Sequence, residues 1–437
     1  MPRLIRMLLP LAAGLALPQA AQAQANGAVL SAPQVFALAE AYQREGRTGD
    51  AEALLEALSR DRDPEIRAEA RFRLGRALIA RGEYEGAVNA FAALLEEKPD
   101  AQPARLALAQ ALALAGQTAA AGRQLRRAEA AGLPEEAQRI VDRFADLLRR
   151  SRPYGASIEL GLAPDTNINQ ATDARSLDVG GFPLVIDDSG RARSGIGLTG
   201  SADAFATLPL EPGIALVSRA TAVASLYRDA EFNDILLSAS SGPEFRLGRS
   251  VLRAAATYTT RLIGQRRYSR GFGGSLQVLA PFGKAGQLGA SLTLSDQRYR
   301  IPEQDGLQYA ASASYERALS PRLYGRLEAS LFRAEARAAA YATTSYGVGA
   351  ALTRDVGAAT IYARAGYMRT DGDAPFPLFG SARADDRVDL SLGASWKRWS
   401  IAGLTPVVRL QQTYNHSPLG LYRFKRTRLE LALTERF

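Results

Sequence analysis

Fourteen stretches between residues 154 and 437 alternate apolar with polar side chains, and the connections between them alternate too, short then long. The stretches lie near 154–164, 194–208, 212–228, 234–247, 250–264, 270–283, 286–299, 305–318, 321–334, 342–354, 357–371, 384–398, 404–416 and 424–437. Period-two patterning means β-strands with one apolar face. Leu288, Ala290, Leu292 and Leu294 fall on one face of a strand, and Ser291, Thr293 and Ser295 on the other. Charged residues stand inside strands on the second face only: Arg326 and Glu328 oppose Leu327, Ala329 and Leu331, and Arg364 opposes Ile361, Ala363 and Ala365. A soluble sandwich buries its apolar face. A membrane barrel turns that face to lipid and the polar one to a wet lumen. Alternation alone fits both.

Three features select the barrel. Every second connection is a tight turn, as in "PLEP", "LGR", "FGKA", "SPR", "VGA" and "WSIAG", and those between are longer on average and polar, about 29 residues for Asp165 to Arg193. Short periplasmic turns, longer outer loops and an even strand count are the outer-membrane arrangement. Aromatics gather toward strand ends (Tyr154, Tyr258, Tyr268, Tyr299, Tyr324, Trp396, Trp399, Tyr414, Phe424), as interfacial girdles do. The chain closes on an alternating strand, "LELALTERF", whose Phe437 is the terminal aromatic that barrel assembly machinery reads. Pairing the last strand with the first removes both free edges. Residues 154–437 are thus expected to form a transmembrane barrel.

Residues 1–23 read as a secretory signal. Arg3 and Arg6 precede the apolar run Leu8 to Leu17, and Ala21-Gln22-Ala23 is a small-x-small site; cleavage after Ala25 is the second choice. Residues 30–150 have a helical period and a repeat. Leu74, Gly75, Leu78, Ala87, Phe91, Leu94 and Pro99 form one copy. Leu38, Ala39, Tyr42, Ala51, Leu55 and Leu58 precede it by 36 residues, and Leu108, Ala109, Leu112, Ala121, Leu125 and Ala128 follow by 34. This is the beat of a tetratricopeptide (TPR) repeat, with Val35, Arg71 and Arg105 standing where the strict pattern has Trp. Three repeats are expected, capped by a helix over Glu135 to Arg149. Such stacks present a concave face to a peptide. Glu40, Gln43, Arg76 and Gln110 fall on first helices at groove-lining positions and are the candidate client-binding residues. The fold class is α plus membrane β: a periplasmic TPR α-solenoid, then a 14-stranded antiparallel barrel in the outer membrane.

The order of parts, and several segments, resemble the surface lipoprotein assembly modulator (Slam) family. The barrel opens on "ELGLAPDTNINQAT", Glu159 to Thr172, and closes on "NHSPLGLYRFKRTRLELALTERF"; "RRYSRGFGGSLQVLAPF" and "DDRVDLSLGASW" lie between. The resemblance covers about residues 30 to 437. It implies an outer-membrane translocon that delivers surface lipoproteins, or related secreted proteins, from the periplasm to the cell surface, the repeats capturing the client and the barrel conducting it. Its implied partners are that client, the barrel assembly machinery, periplasmic chaperones and outer-membrane lipid. The alternative is a TPR-coupled exopolysaccharide-export porin. Such exporters usually carry longer repeat arrays and lack the P-D-x-N-x-N opening.

Composition narrows the chemistry. There is no Cys and one His, His416, so thiolate metal sites and Cys nucleophiles are excluded, and no acidic partner or nucleophile motif accompanies His416. No enzyme, cofactor or metal is expected. Lys+Arg number 54 against 45 Asp+Glu, net +9, but the charges scatter through the alternation, which argues against nucleic acid. Asp165-x-Asn167-x-Asn169 starts like a calcium loop, but Gln170 stands at its sixth position and Ser176 at its twelfth. The three residues are expected to form a polar turn at the base of the first long loop, with a lumen or gating role open. "GIGLTG", Gly195 to Gly200, lacks the βαβ context of a dinucleotide site and reads as barrel strand. Arg423, Lys425, Arg426 and Arg428 are expected to meet lipopolysaccharide or line the mouth.

Overall fold

The computed structural model describes residues 30–130 and 153–435, apart from 180, 181, 284, 358, 378, 397, 398 and 400–403. The signal segment, the capping helix expected over Glu135 to Arg149, most of the "WSIAG" turn and Phe437 lie outside the described residues. The chain divides into two compact units, residues 1–70 and 71–437.

The first unit holds α1 (Ala32–Arg44), α2 (Thr48–Leu58) and the start of α3 (Pro64–Arg81). The Ser31 N–H donates to Gln34 Oε1 at 2.8 Å, which satisfies one of the free amides at the start of α1. Ala39 on α1 and Ala51, Leu55 and Leu58 on α2 are buried where the two helices pack.

The second unit continues α3 and adds α4 (Tyr84–Glu97), α5 (Gln102–Leu114), α6 (Thr118–Ala130) and all the strands. Phe91 is fully buried, and a Cβ at Gly75 would sit 2.6 Å from its ring, so the glycine is what admits the phenyl. Phe72 meets that ring edge-on at 5.8 Å. The repeat has a punctuation mark that leucine spacing did not reveal. Gly46, Gly82 and Gly116 adopt φ of 78°, 83° and 84° just after α1, α3 and α5. In each case the next N–H reaches back five residues: Arg47 to the Tyr42 carbonyl, Glu83 to Leu78, and Gln117 to Leu112. This left-handed cap ends each first helix and starts the second. Where Trp is absent, arginine fills the seam. Arg71 donates to the Ala93 carbonyl at 3.1 Å and to Glu97 at 2.7 Å. Arg105, 3 % exposed, donates to Gln124 Oε1 at 3.0 Å and to the Pro99 carbonyl. Burial, reinforced by nearby Arg127, pulls the Arg105 guanidinium down to about 10, so it stays cationic at neutral pH.

The strands are β1 (Tyr154–Asp165), β2 (Ser176–Val179), β3 (Phe182–Val185), β4 (Gly195–Glu211), β5 (Ile214–Tyr227), β6 (Asp234–Leu247), β7 (Ser250–Ile263), β8 (Arg266–Pro281), β9 (Gly286–Tyr299), β10 (Gly306–Ser320), β11 (Leu323–Ala334), β12 (Thr343–Val356), β13 (Ala359–Pro375), β14 (Ala382–Trp396), β15 (Leu404–His416) and β16 (Phe424–Glu435). Fourteen of them close a barrel in sequence order, β1 pairing with β4 on one side and β16 on the other. Two differences from the sequence expectation concern the long-loop rim. β8 begins at Arg266, so Gly264 and Gln265, both at positive φ, make a two-residue turn where a longer connection was expected. The first long loop contains an antiparallel hairpin, β2–β3, with Val179 paired to Phe182.

The apolar belt faces outward. Leu292, Leu327, Ile361 and Leu431 are 54, 59, 40 and 49 % exposed, while Arg326 and Arg364 lie on the opposite, lumen-facing side of their strands. Because the chain has no native Cys, single cysteines at these six positions are expected to divide cleanly: the first four take a lipid-soluble maleimide, and the arginine positions a water-soluble one. Equal labelling of both sets would reverse the assignment. Tyr154, Trp399 and Tyr414 are exposed, as girdle residues should be. Tyr324, Tyr299 and Tyr268 are not girdle residues. Tyr324 packs with Ala285 and Ala318 and donates to Glu316. Tyr299 accepts from Gln308 inside the lumen and meets Tyr268 edge-on at 5.6 Å, where the β7–β8 register shifts.

Candidate functional site

The lumen wall is built from arginine–carboxylate pairs drawn from neighbouring strands. Arg326 on β11 meets Glu316 on β10 at 2.8 Å and Glu328 at 3.4 Å, and Glu328 also holds Arg364 of β13. Arg219 on β5 meets Asp203 on β4 at 2.9 Å. Glu244 on β6 takes both Arg246 and Arg253. Arg409 on β15 bridges Glu430 on β16 at 2.7 Å and Glu159 on β1 at 3.5 Å, with Thr199 of β4 donating to Glu430 at 2.9 Å. Alternation places these groups inward, and pairing between adjacent strands neutralises them in place. The result is a polar wall whose named arginines are each paired with a carboxylate.

The P-D-T-N-I-N segment sits where β1 gives way to the first loop, and it does more than turn. The Asn167 N–H donates to Asp165 Oδ1 at 2.9 Å, an Asx turn. Asp165 also receives Arg426 Nε at 2.9 Å and Nη2 at 2.5 Å, from the start of β16. Asn167 Nδ2 donates to the Lys425 carbonyl at 3.0 Å and to the Ala171 carbonyl at 2.8 Å. The Thr427 N–H donates to Thr166 Oγ1 at 2.9 Å. Asn169 ties the two ends of the loop, donating to the Arg191 carbonyl and accepting from the Arg193 N–H. Asp165 and Asn167 are 4 % and 2 % exposed. The motif therefore clasps the first strand to the last, its oxygens and amides committed to protein partners. Arg426, expected to meet lipopolysaccharide or line the mouth, is the clasp's cation. Arg423 holds the Ser417 carbonyl at 3.0 Å, and Arg428 lies 3.9 Å from Glu430. His416 ends β15 in an exposed position beside Asp386 of β14.

Three of the long connections meet one another at the rim. Tyr341, Phe376 and Tyr422 come from the β11–β12, β13–β14 and β15–β16 connections, and their ring centroids are 5.2 and 6.4 Å apart. Arg383 lies 4.3 Å over the Tyr422 ring. Burial pushes the Tyr422 phenol up, against the pull of the nearby Arg383 cation. In the first loop, Leu177 is 7 % exposed, and a Cβ on Gly420 would lie 2.6 Å from its Cδ2. The β2–β3 hairpin thus rests on the β15–β16 turn.

At the tight-turn rim, α6 meets β10, and Arg127, 5 % exposed, pairs with Asp355 at the end of β12. Among the expected groove residues, Glu40 and Gln43 are exposed on α1, Arg76 is exposed on α3, and Gln110 is half-buried on α5.

Comparison with known proteins bears on both halves. No curated protein matches the chain. Among solved structures, a loop-deletion mutant of the outer membrane protein OmpT of Vibrio cholerae aligns at 10 % identity, covering 65 % of this chain and 99 % of its own, TM-score 0.36. The outer membrane channel DcaP of Acinetobacter baumannii aligns at 8 %, covering 64 % and 96 %, TM-score 0.40. A Pseudomonas aeruginosa FadL homologue aligns at 12 %, covering 65 % and 90 %, TM-score 0.38. Tetratricopeptide repeat models match residues 42–100 and 72–136. The model of the surface lipoprotein assembly modifier matches residues 156–437, the whole barrel and its clasp. The chain belongs to the surface lipoprotein assembly modifier family: a barrel of the outer membrane with N-terminal tetratricopeptide repeats, serving the assembly of surface lipoproteins.

Proposed function

We propose that this chain conducts a lipoprotein, or a related secreted protein, from the periplasm through its lumen to the cell surface, with the repeats capturing the client first. The observation that carries this reading is the paired lumen wall. Arg326–Glu316, Arg219–Asp203 and Arg409–Glu430 leave it wet and close to neutral, so an extended segment meets no deep trap along it. Passage requires sites weak enough to leave. The periplasm supplies no nucleotide energy, so capture and folding of the client outside must drive the movement. A binding module tethered to the channel raises the client's effective concentration at the entrance. The Arg127–Asp355 pair supports that tether on α6 at the rim.

The test deletes residues 30–148 and keeps the signal. The barrel is expected to remain in the outer membrane and heat-modifiable, because the repeats contribute no strand to it. The lipoprotein most depleted from the surface of cells lacking the whole chain is then followed in the truncated strain. Its surface pool should fall and its periplasmic pool rise. Unchanged display would reduce the repeats to a spacer. Loss of surface polysaccharide instead would favour the exporter.

A further inference from the structure

We propose that the β1–β16 joint is a lateral opening, through which the acyl chains of a client lipoprotein leave for the surrounding lipid while its polypeptide follows the lumen. The inference rests on the lipoprotein reading above. A closed lumen offers acyl chains only water, at a cost of about 0.8 kcal/mol per CH₂, so a lipidated client needs a path through the wall.

Two observations converge on this joint. The β1–β16 pairing skips Ala163 and Pro164, between Leu162↔Leu431 and Asp165↔Arg428. Thr199 Oγ1 donates to the Gly161 carbonyl, so that peptide group points to β4. Backbone groups alternate sides along a strand, so Leu160, Leu162, Pro164 and Thr166 point to β16, as the Thr166 N–H to Thr427 carbonyl bond at 3.0 Å confirms. Pro164 has no N–H, and the missing rung falls on this joint. Side chains carry the closure instead: Asp165–Arg426 and Asn167 to Lys425 at the outer end, and Arg409 between Glu159 and Glu430 in the lumen. When the joint parts, both partners of each pair pass to water together, so opening strands no buried charge. Finally, an open surface hollow of about 400 Å³ lies at this point, its apolar lining from Pro164, Ile196 and Leu429 and its polar edge from Asp165, Thr166 and Thr427. Ile196 is 66 % exposed beside it. The broken rung and the apolar hollow coincide, where an emerging acyl chain would first meet lipid.

The experiment locks the joint. Leu160 and Leu433 are direct partners, so Leu160→Cys with Leu433→Cys places a cross-joint disulfide in a chain with no other Cys. Ser291→Cys with Ser312→Cys, whose hydroxyl oxygens are 2.8 Å apart on β9 and β10, is the control lock. The probe is the lipoprotein most depleted from the surface of cells lacking this chain, displayed as itself and as a version whose lipidated cysteine is replaced. The oxidised joint should abolish display of the lipidated form, spare the unlipidated one and recover with reductant, while the control lock changes neither. Loss of both forms, or of neither, overturns the lateral path and leaves the assembly role standing. A surface unchanged in cells lacking the chain overturns both.

Discussion

Replacing Arg426 with alanine is expected to leave little heat-modifiable barrel in the outer membrane. The Asp165 side chain is fully buried, and Arg426 is its cationic partner through bonds of 2.9 and 2.5 Å. Removing one partner of a buried pair strands the other charge, at roughly 3–5 kcal/mol. That is a large part of the 5–15 kcal/mol, in order of magnitude, that holds a folded chain together. The loss also falls on the joint whose pairing skips Ala163 and Pro164, where side chains supply the closure. The urea midpoint of the refolded barrel should drop by the corresponding amount. Asp165→Asn combined with Arg426→Gln, which leaves no stranded charge, should recover much of it. If the single variant unfolds at the parent's midpoint, the clasp does not hold the barrel shut, and the assignment of Asp165 as its centre fails.

The strands were legible because membrane barrels write alternation into every strand and turn chemistry into every second connection; all fourteen fall within four residues of where the pattern puts them. The helical repeat was legible for a similar reason, since the Ala and Leu positions recur every 34 to 36 residues. What could not be read was which charged residues meet. Asp165 and Arg426 are 261 residues apart in sequence, and only closure of the first strand on the last brings them together. Two signals were present at that joint: a proline inside an otherwise regular strand, and an acid placed immediately after it. The acid read as part of a polar turn, and only the register shows that both act across the joint. The tyrosines misled for the opposite reason. Residue type predicts an interfacial girdle, but the face a side chain takes near a register shift, as at Tyr268, depends on one residue of slip.

Deleting Val179 to Arg191 is expected to turn a quiet barrel into a conducting one. Fourteen strands enclose more space than their own side chains fill, and an unobstructed lumen of that size would leak solutes. The obstruction is expected at the long-loop rim. Tyr341, Phe376 and Tyr422 bring three turns into ring contact, and the β2–β3 hairpin seats Leu177 on the β15–β16 turn at Gly420, beside the buried Leu419. The deletion removes β3 and breaks the loop base, because Asn169 loses the Arg191 carbonyl to which it donates. Asp165, Arg426 and Asn167 keep their bonds, so the barrel should still assemble and run heat-modifiable. Planar bilayers should then show steps absent from the parent, and cells should become sensitive to large antibiotics that the outer membrane normally excludes. A deletion variant that conducts no better than the parent would place the obstruction in the aromatic turns alone. Phe376→Ala with Tyr422→Ala would then be the variant that opens the channel, because it separates those turns without touching the hairpin.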